Sequence, residues 1–266
     1  MKSLRERYGN WALVAGAAEG IGEAFTVSLA MQGFNIILAD NKGTAMESLA
    51  HTVRVNYKVA TRQLLLDLSH QDAPDRCLAE ANASGCRLMV YVAAYSHVAR
   101  FTSLSRNELD LFIDINTKSL LHLVHGFSNV LISRKERGGI LLVSSLAGLI
   151  GPQFVATYAA TKAFSIRLTE ALSYELKPSG IDITVCMAGM AATPTFLGSN
   201  PSFEKIKPGM LPPMEIAAYS LSKLGKRSRC IPGWKNRMQY FLLQQILPRR
   251  LATWLVNDAM KKMYKL

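Results

Sequence analysis

Tyr158 stands four residues ahead of Lys162 in the stretch "GPQFVATYAATKAFS", a spacing that puts both side chains on one face of a helix. A free tyrosine ionises near ~10, too high for a base at neutral pH. A neighbouring ammonium favours the phenolate and lowers that value. The pair therefore fits a proton-transferring tyrosine, although such spacings also arise by chance on helix surfaces. Ser145 precedes the tyrosine by 13 residues, at the end of an apolar run. A hydroxyl there can hydrogen-bond a substrate oxygen and stabilise its developing charge.

A second constellation lies near the start. "LVAGAAEGIGEAF" runs from an apolar stretch into a helical pattern, with Gly16, Gly20 and Gly22 at the junction. A strand, a glycine-rich turn and a helix bring a pyrophosphate to backbone N–H groups at the helix N-terminus. Gly16 would allow the tight turn, Gly20 the approach of a dinucleotide and Gly22 the helix–strand packing. The next apolar run ends in Asp40, whose carboxylate can accept hydrogen bonds from the adenosine ribose and would repel a 2′-phosphate. Glu19 adds to that repulsion, whereas Lys42 could reach a 2′-phosphate. On balance NAD is expected over NADP.

These groups need a scaffold. Apolar runs at 11–16, 35–40, 61–67, 87–93, 139–145 and 182–188 alternate with amphipathic stretches near 20–32, 43–56, 71–84, 106–134 and 154–178. This alternation predicts an α/β fold: a Rossmann-type, doubly wound parallel sheet with helices on both faces, its strands apolar throughout because both faces are covered. The 266 residues are read as one dinucleotide-binding catalytic domain. Residues 190–232, rich in Pro, Gly, Ser and Met at their start, are read as a substrate lid, with a helix resuming at Pro213. Residues 233–266 are read as a helical tail broken at Pro248.

The net charge is +12, and its placement matters more than its size. From Lys205 onward there are 13 Lys and Arg against Glu215 and Asp258 alone. The tail combines those cations with Trp234, Phe241, Leu242, Trp254 and Leu255. Two readings stay open: a peripheral contact with an anionic membrane surface, or an apolar cap over the substrate pocket or a subunit interface. Beyond charge there is no nucleic-acid-binding motif. No run of about 18 uncharged apolar residues or apolar leader is present, so the expected location is cytoplasmic, with peripheral attachment at the inner membrane face as the variant. Four cysteines lack metal-ligand spacing and read as reduced thiols; His122 and His125 lack a third ligand, so no metal is expected.

Together, the glycine turn, Ser145, Tyr158 and Lys162 resemble the short-chain dehydrogenase/reductase family over roughly residues 8–195. In the C-terminal part, "IPGWKNR" and "LPRRL" resemble bacterial members related to hydroxysteroid dehydrogenases and ketoacyl reductases. The resemblance implies a catalytic tetrad of Asn116, Ser145, Tyr158 and Lys162, with Asn116 holding a water of a proton relay. It implies cofactor contacts from Gly16, Ala18, Glu19, Gly20, Ile21 and Gly22 in the turn. Further contacts would come from Asp40, from Asp67 and Leu68 after the third strand, from Ala93 and Ala94 after the fourth, and from Tyr158, Lys162 and Thr193. His97 and Met190 join Ser145 as substrate-side candidates; Met187, Met210 and Met214 read as an adaptable pocket wall. Homodimers or homotetramers are implied as well.

The chain departs from the family pattern at Ala15, where a threonine is usual, and at "YVAA" (91–94), where the pattern is Asn-Asn-Ala-Gly. It departs again at Ala188-Gly189 in place of Pro-Gly. The expected activity is interconversion of an apolar secondary alcohol and its ketone. The competing expectation is a catalytically weak dinucleotide sensor or scaffold that uses the basic tail.

Overall fold

The computed structural model describes residues 2–202 and 209–264. Its elements follow in chain order: α1 (Leu4–Tyr8), β1 (Trp11–Ala15), α2 (Gly20–Met31), β2 (Asn35–Asp40), α3 (Gly43–Tyr57), β3 (Thr61–Leu65), α4 (Ala73–Ala83) and β4 (Leu88–Tyr91). Then come α5 (Arg106–Ile113), a π-helical turn (Asp114–Ser119), α6 (Leu120–Ser133), β5 (Gly138–Ser145), α7 (Ala156–Glu175) and β6 (Ile181–Ala188). The chain continues through α8 (Pro194–Gly198), α9 (Pro213–Lys223), β7 (Arg229–Cys230), α10 (Trp234–Phe241), a second π turn (Leu242–Ile246) and α11 (Arg249–Met263).

The strands form one parallel sheet in the order β3-β2-β1-β4-β5-β6-β7. Successive side chains along a strand point to opposite faces. Val14, Leu38 and Val90 therefore join α2, α3 and α9 in one core layer. Leu13, Ile37, Met89 and Leu142 join α4, α6 and α7 in the other. The chain leaves β1 toward β2 on one side, while β4 flanks β1 on the other. This reversal opens a crevice at the carboxyl ends of β1 and β4, where such sheets bind ligands.

Two strands differ from the sequence expectation. β3 is the sheet edge and is exposed along one face, with Leu65 59% exposed, rather than buried on both. β7 is two residues long and closes the opposite edge; nothing so short carries a periodicity. The stretch read as one lid also divides. Ile216, Ala217 and Leu221 of α9 are buried in the first core layer, and β7 belongs to the sheet. Residues 190–202 and 209–212 are irregular apart from α8 and are held by an Ala191–Leu211 bridge. Residues 203–208 and 265–266 lie outside the described residues.

The tail breaks at Pro248, which caps α11. Among the described residues no helix is long and apolar enough to cross a membrane. All four cysteines are buried and free, and Cys186 and Cys230 are register partners on β6 and β7.

Candidate active site

The glycine turn takes the form its residues require. Gly16 has φ +81°, and a Cβ there would meet the Ala93 backbone nitrogen at 2.5 Å. A Cβ on Gly22 would lie 1.7 Å from the Gly16 carbonyl oxygen, so α2 can start against β1 only with glycine at that position. Ile21 is partly buried behind the turn. Asp40 closes the turn from β2: Oδ2 accepts the Ala18 N–H at 2.8 Å and Oδ1 the Lys42 N–H at 3.0 Å. The Lys42 ammonium is ion-paired with Glu19 on the rim. Lys42, a counter-argument to NAD when read alone, is thus engaged by the residue that argues for it.

Asp67 follows β3. Burial acts to raise its carboxyl, but hydrogen bonds from the Ser69 N–H and hydroxyl and from the Asn41 side chain outweigh this and hold it below the usual range. The Asn41 contact joins the ends of β2 and β3 beside buried Leu68. Ala93 donates its N–H to the Ala15 carbonyl at 3.0 Å, and Ala94 is exposed at the crevice. Thr193, the N-cap of α8, lies over the turn, its Cγ2 3.0 Å from where a Cβ on Gly20 would sit. The donors, the small residues and the N-terminus of a 12-residue helix fit a dinucleotide pyrophosphate and adenosine.

The second cluster stands at the carboxyl end of β5. Ser144 and Ser145 point to opposite faces of that strand. Ser144 is buried and donates to the Lys162 carbonyl at 2.7 Å, a packing bond. Ser145 is only half-buried and its hydroxyl lies within hydrogen-bonding reach of the Tyr158 hydroxyl. The two serines thus face different surroundings, Ser144 the backbone of α7 and Ser145 the Tyr158 side chain.

Lys162 is 5% exposed; its ammonium donates to the Val143 carbonyl at 2.9 Å and lies 5.5 Å from the Tyr158 ring centre. Burial pulls the lysine down to about 8, with nearby Cys186 acting the other way. Burial pushes the Tyr158 phenol above its ordinary value, and Ser145 draws it partly back. The direction for Tyr158 is thus opposite to the acidification expected from Lys162 alone.

Asn116 lies in the first π turn, 2% exposed. Its Oδ1 accepts the Tyr95 N–H at 2.7 Å, and its Nδ2 donates to the Tyr95 carbonyl at 2.9 Å and to Thr161 Oγ1 at 3.0 Å. Thr161 in turn donates to the Tyr158 carbonyl at 2.9 Å. Both amide hydrogens are used, which leaves one Oδ1 lone pair for a water. Sequence reasoning missed Tyr95 and Thr161, since neither a backbone partner nor a helix threonine has a spacing signature.

A shallow cleft of about 30 Å³ is lined by His97, Phe101, Phe112, Phe154, Val155 and Thr157, among others. The start of α7 thus forms one wall. His97 Nδ1 pairs with Glu108 Oε1 at 2.5 Å; the Ser105 N–H and hydroxyl, with His97, hold that carboxyl at about 2. Met190 does not line this cleft; its carbonyl accepts the Leu211 N–H at 3.0 Å. Met187 is a core residue, 2% exposed, and not part of a pocket wall. His125 meets Asn129, and among the described residues no three His, Cys, Asp or Glu side chains converge as a metal site would require.

The tail is tied to the loop that joins Ser145 to Tyr158. Asn257 Oδ1 accepts the Gln153 N–H at 2.7 Å, Gln153 Nε2 donates to the Asn257 carbonyl at 2.5 Å, and Arg249 donates to the Leu149 carbonyl at 2.9 Å. Asn236, 5% exposed, packs on the backbone of Gly189 beyond β6. These ties between distant segments also escaped the sequence reading.

The short chain dehydrogenase profile matches residues 10–202, a span from β1 to the start of the lid that contains every residue of both clusters. The chain belongs to the short chain dehydrogenase family. This short chain dehydrogenase is 30% identical over 235 residues to a 7beta-hydroxysteroid dehydrogenase of Clostridium sardiniense, covering 88% of this chain and 90% of that one. It is 26% identical over 266 aligned positions to a very-long-chain 3-oxoacyl-CoA reductase of Scheffersomyces stipitis, covering 92% of this chain and 74% of the relative. A solved structure concerned with 7beta-hydroxysteroid dehydrogenase stereoselectivity superposes with a TM-score of 0.86 at 27% identity, over 96% of this chain and 99% of that one. The chain is an oxidoreductase of this family, similar to hydroxysteroid dehydrogenases and ketoacyl reductases, and the family uses a nicotinamide dinucleotide.

Proposed function

We propose that this chain interconverts a secondary alcohol and a ketone on a bulky apolar substrate of hydroxysteroid type, with NAD as the favoured cofactor. The observation that carries the reading is the meeting of Ser145, Tyr158 and buried Lys162 at the end of β5, beside the glycine turn. When bound, the dinucleotide supplies or accepts the hydride. Ser145 holds the substrate oxygen, and Tyr158 takes the hydroxyl proton in oxidation or gives it in reduction. Burial alone keeps the phenol protonated, so the positive charge that lowers it must come from Lys162 and from an oxidised nicotinamide together. Lys162 would leave the Val143 carbonyl to orient the nicotinamide ribose, and Asn116 would hold a water between the lysine and solvent.

The similarity to a 7beta-hydroxysteroid dehydrogenase supports a rigid apolar substrate. Asp40 and the Glu19–Lys42 pair support NAD. The ties from Gln153 and Leu149 to α11 support a tail that covers the site. Apolar residues exposed along α5–α7, Ile113, Leu121 and Ile132 among them, support self-association as a homodimer or homotetramer.

A panel of hydroxysteroids and 3-oxoacyl thioesters with NAD and NADP tests the reading. Tyr158→Phe should lower kcat by a factor on the order of 10³ or more while dinucleotide binding, followed by NADH fluorescence, persists. Turnover by Tyr158→Phe at the wild-type rate would sink the mechanism.

A further inference from the structure

Tyr91 occupies the first position of the altered "YVAA" segment and is absent from every role assigned so far. It ends β4 and is 1% exposed, deep in the core layer beneath the sheet. Its hydroxyl donates to the Ile115 carbonyl at 2.6 Å, and the Ser119 hydroxyl lies beside it. Both partners belong to the π turn 114–119 that carries Asn116. A π turn is a locally widened helix, rare and concentrated at functional sites. A phenol buried in an apolar layer needs a hydrogen-bond acceptor. One bond here meets the phenol's need and holds a turn carbonyl to the sheet.

We propose that Tyr91 is a positioning residue for Asn116, locking the π turn from within the core so that the Asn116 amide is aimed at Tyr95 and Thr161. The path is short and continuous. The Tyr91 hydroxyl holds Ile115; the adjoining Asn116 bonds both backbone groups of Tyr95 and the Thr161 hydroxyl; Thr161 bonds the Tyr158 carbonyl. Tyr91 itself is 1% exposed, with its hydroxyl committed to the Ile115 carbonyl. The neighbouring departure fits the same account: Ala15 is the register partner of Tyr91 on β1 and lies in the same core layer. A small residue on β1 leaves room for a large one on β4, as conservation of core volume requires. The catalytic consequence rests on the proton-relay reading of Asn116, whereas the turn lock does not.

The test uses the full-length protein and Tyr91→Phe, which keeps the ring and deletes the hydroxyl. Amide hydrogen exchange, which needs no substrate, should speed up about tenfold or more across residues 115–120 while β1 and β4 stay protected. In oxidation of a 7β-hydroxysteroid with NAD, kcat should fall about tenfold with KM for NAD within about twofold. The loss should vanish when Tyr91→Phe is placed on Asn116→Ala, because the two act through one element. Unchanged exchange at 115–120, or losses that simply add, overturns the proposal. Faster exchange together with an Asn116→Ala variant at the wild-type rate supports the lock and overturns the relay reading instead.

Discussion

Glu19→Gln should move this enzyme toward NADP without harming its use of NAD. Glu19 sits on the rim of the glycine turn, where its carboxylate holds the Lys42 ammonium, with side-chain exposures of 35% and 52%. It is the N-cap of α2 yet makes no capping hydrogen bond, so an isosteric amide removes charge and little else. An ion pair this exposed is worth at most about 1 kcal/mol, the cost of drawing Lys42 to another anion. Glu19 also repels a 2′-phosphate. At roughly 7 Å in a water-like dielectric, a unit charge against a nearly divalent phosphate costs about 1 kcal/mol. Together the two effects come to ~1–2 kcal/mol, or roughly 5- to 30-fold in kcat/KM for NADP. NAD lacks the 2′-phosphate, and its kcat/KM should stay within about twofold. Asp40 remains in place, so the variant should still favour NAD in absolute terms. The assay is initial-rate kinetics with both dinucleotides on one alcohol, with Lys42→Ala added to the Glu19→Gln background. An NADP/NAD ratio untouched by Glu19→Gln, or a gain that Lys42→Ala leaves undiminished, refutes the reasoning.

Lys162 makes a pH-dependent contribution whose sign follows from its burial. Its folded-state value of about 8 lies below the ordinary lysine value, so below pH 8 the native state bears the full cost of a buried ammonium. Between about 8 and 10.4 the unfolded chain holds a proton that the native chain has released. Denaturation of wild type and Lys162→Met in parallel should show wild type gaining on the variant by up to about 1.4 kcal/mol per pH unit through that window, and a flat difference would contradict the assignment. Asn257→Ala removes the acceptor for the Gln153 N–H and should raise KM for the apolar substrate severalfold, ~3- to 10-fold, with KM for NAD unchanged. Equal effects on both constants would mean that the α11 contact serves the fold and not the substrate side.

The order of elements and the glycine turn are legible because each rests on a local rule. Gly16, Gly20 and Gly22 at a strand–helix junction need no distant partner to be read, and the collision awaiting a Cβ on Gly22 is a property of that turn itself. The Tyr158–Lys162 spacing is a helix property, and Ser145 follows from the end of β5. The helix from Pro213 is legible as a helix, but its place in the core is not, because the burial of α9 against α2 comes from packing across about 190 residues of sequence. The π turn inside the stretch expected as one helix has no periodicity of its own. It exists through bonds reaching it from β4 and α7.

By itself, then, the sequence determined which groups could move a proton or cradle a dinucleotide, because residue type and short spacing suffice for that. Tertiary structure decided which of them are available. It spends Ser144 on the Lys162 carbonyl and turns Ser145 toward Tyr158, and it engages Lys42 with Glu19. It sets burial against charge at Tyr158 and ties the tail to the active-site loop. The physical reason is that hydrogen-bond satisfaction, desolvation and charge pairing depend on neighbours brought together by the sheet, and those neighbours are far apart along the chain.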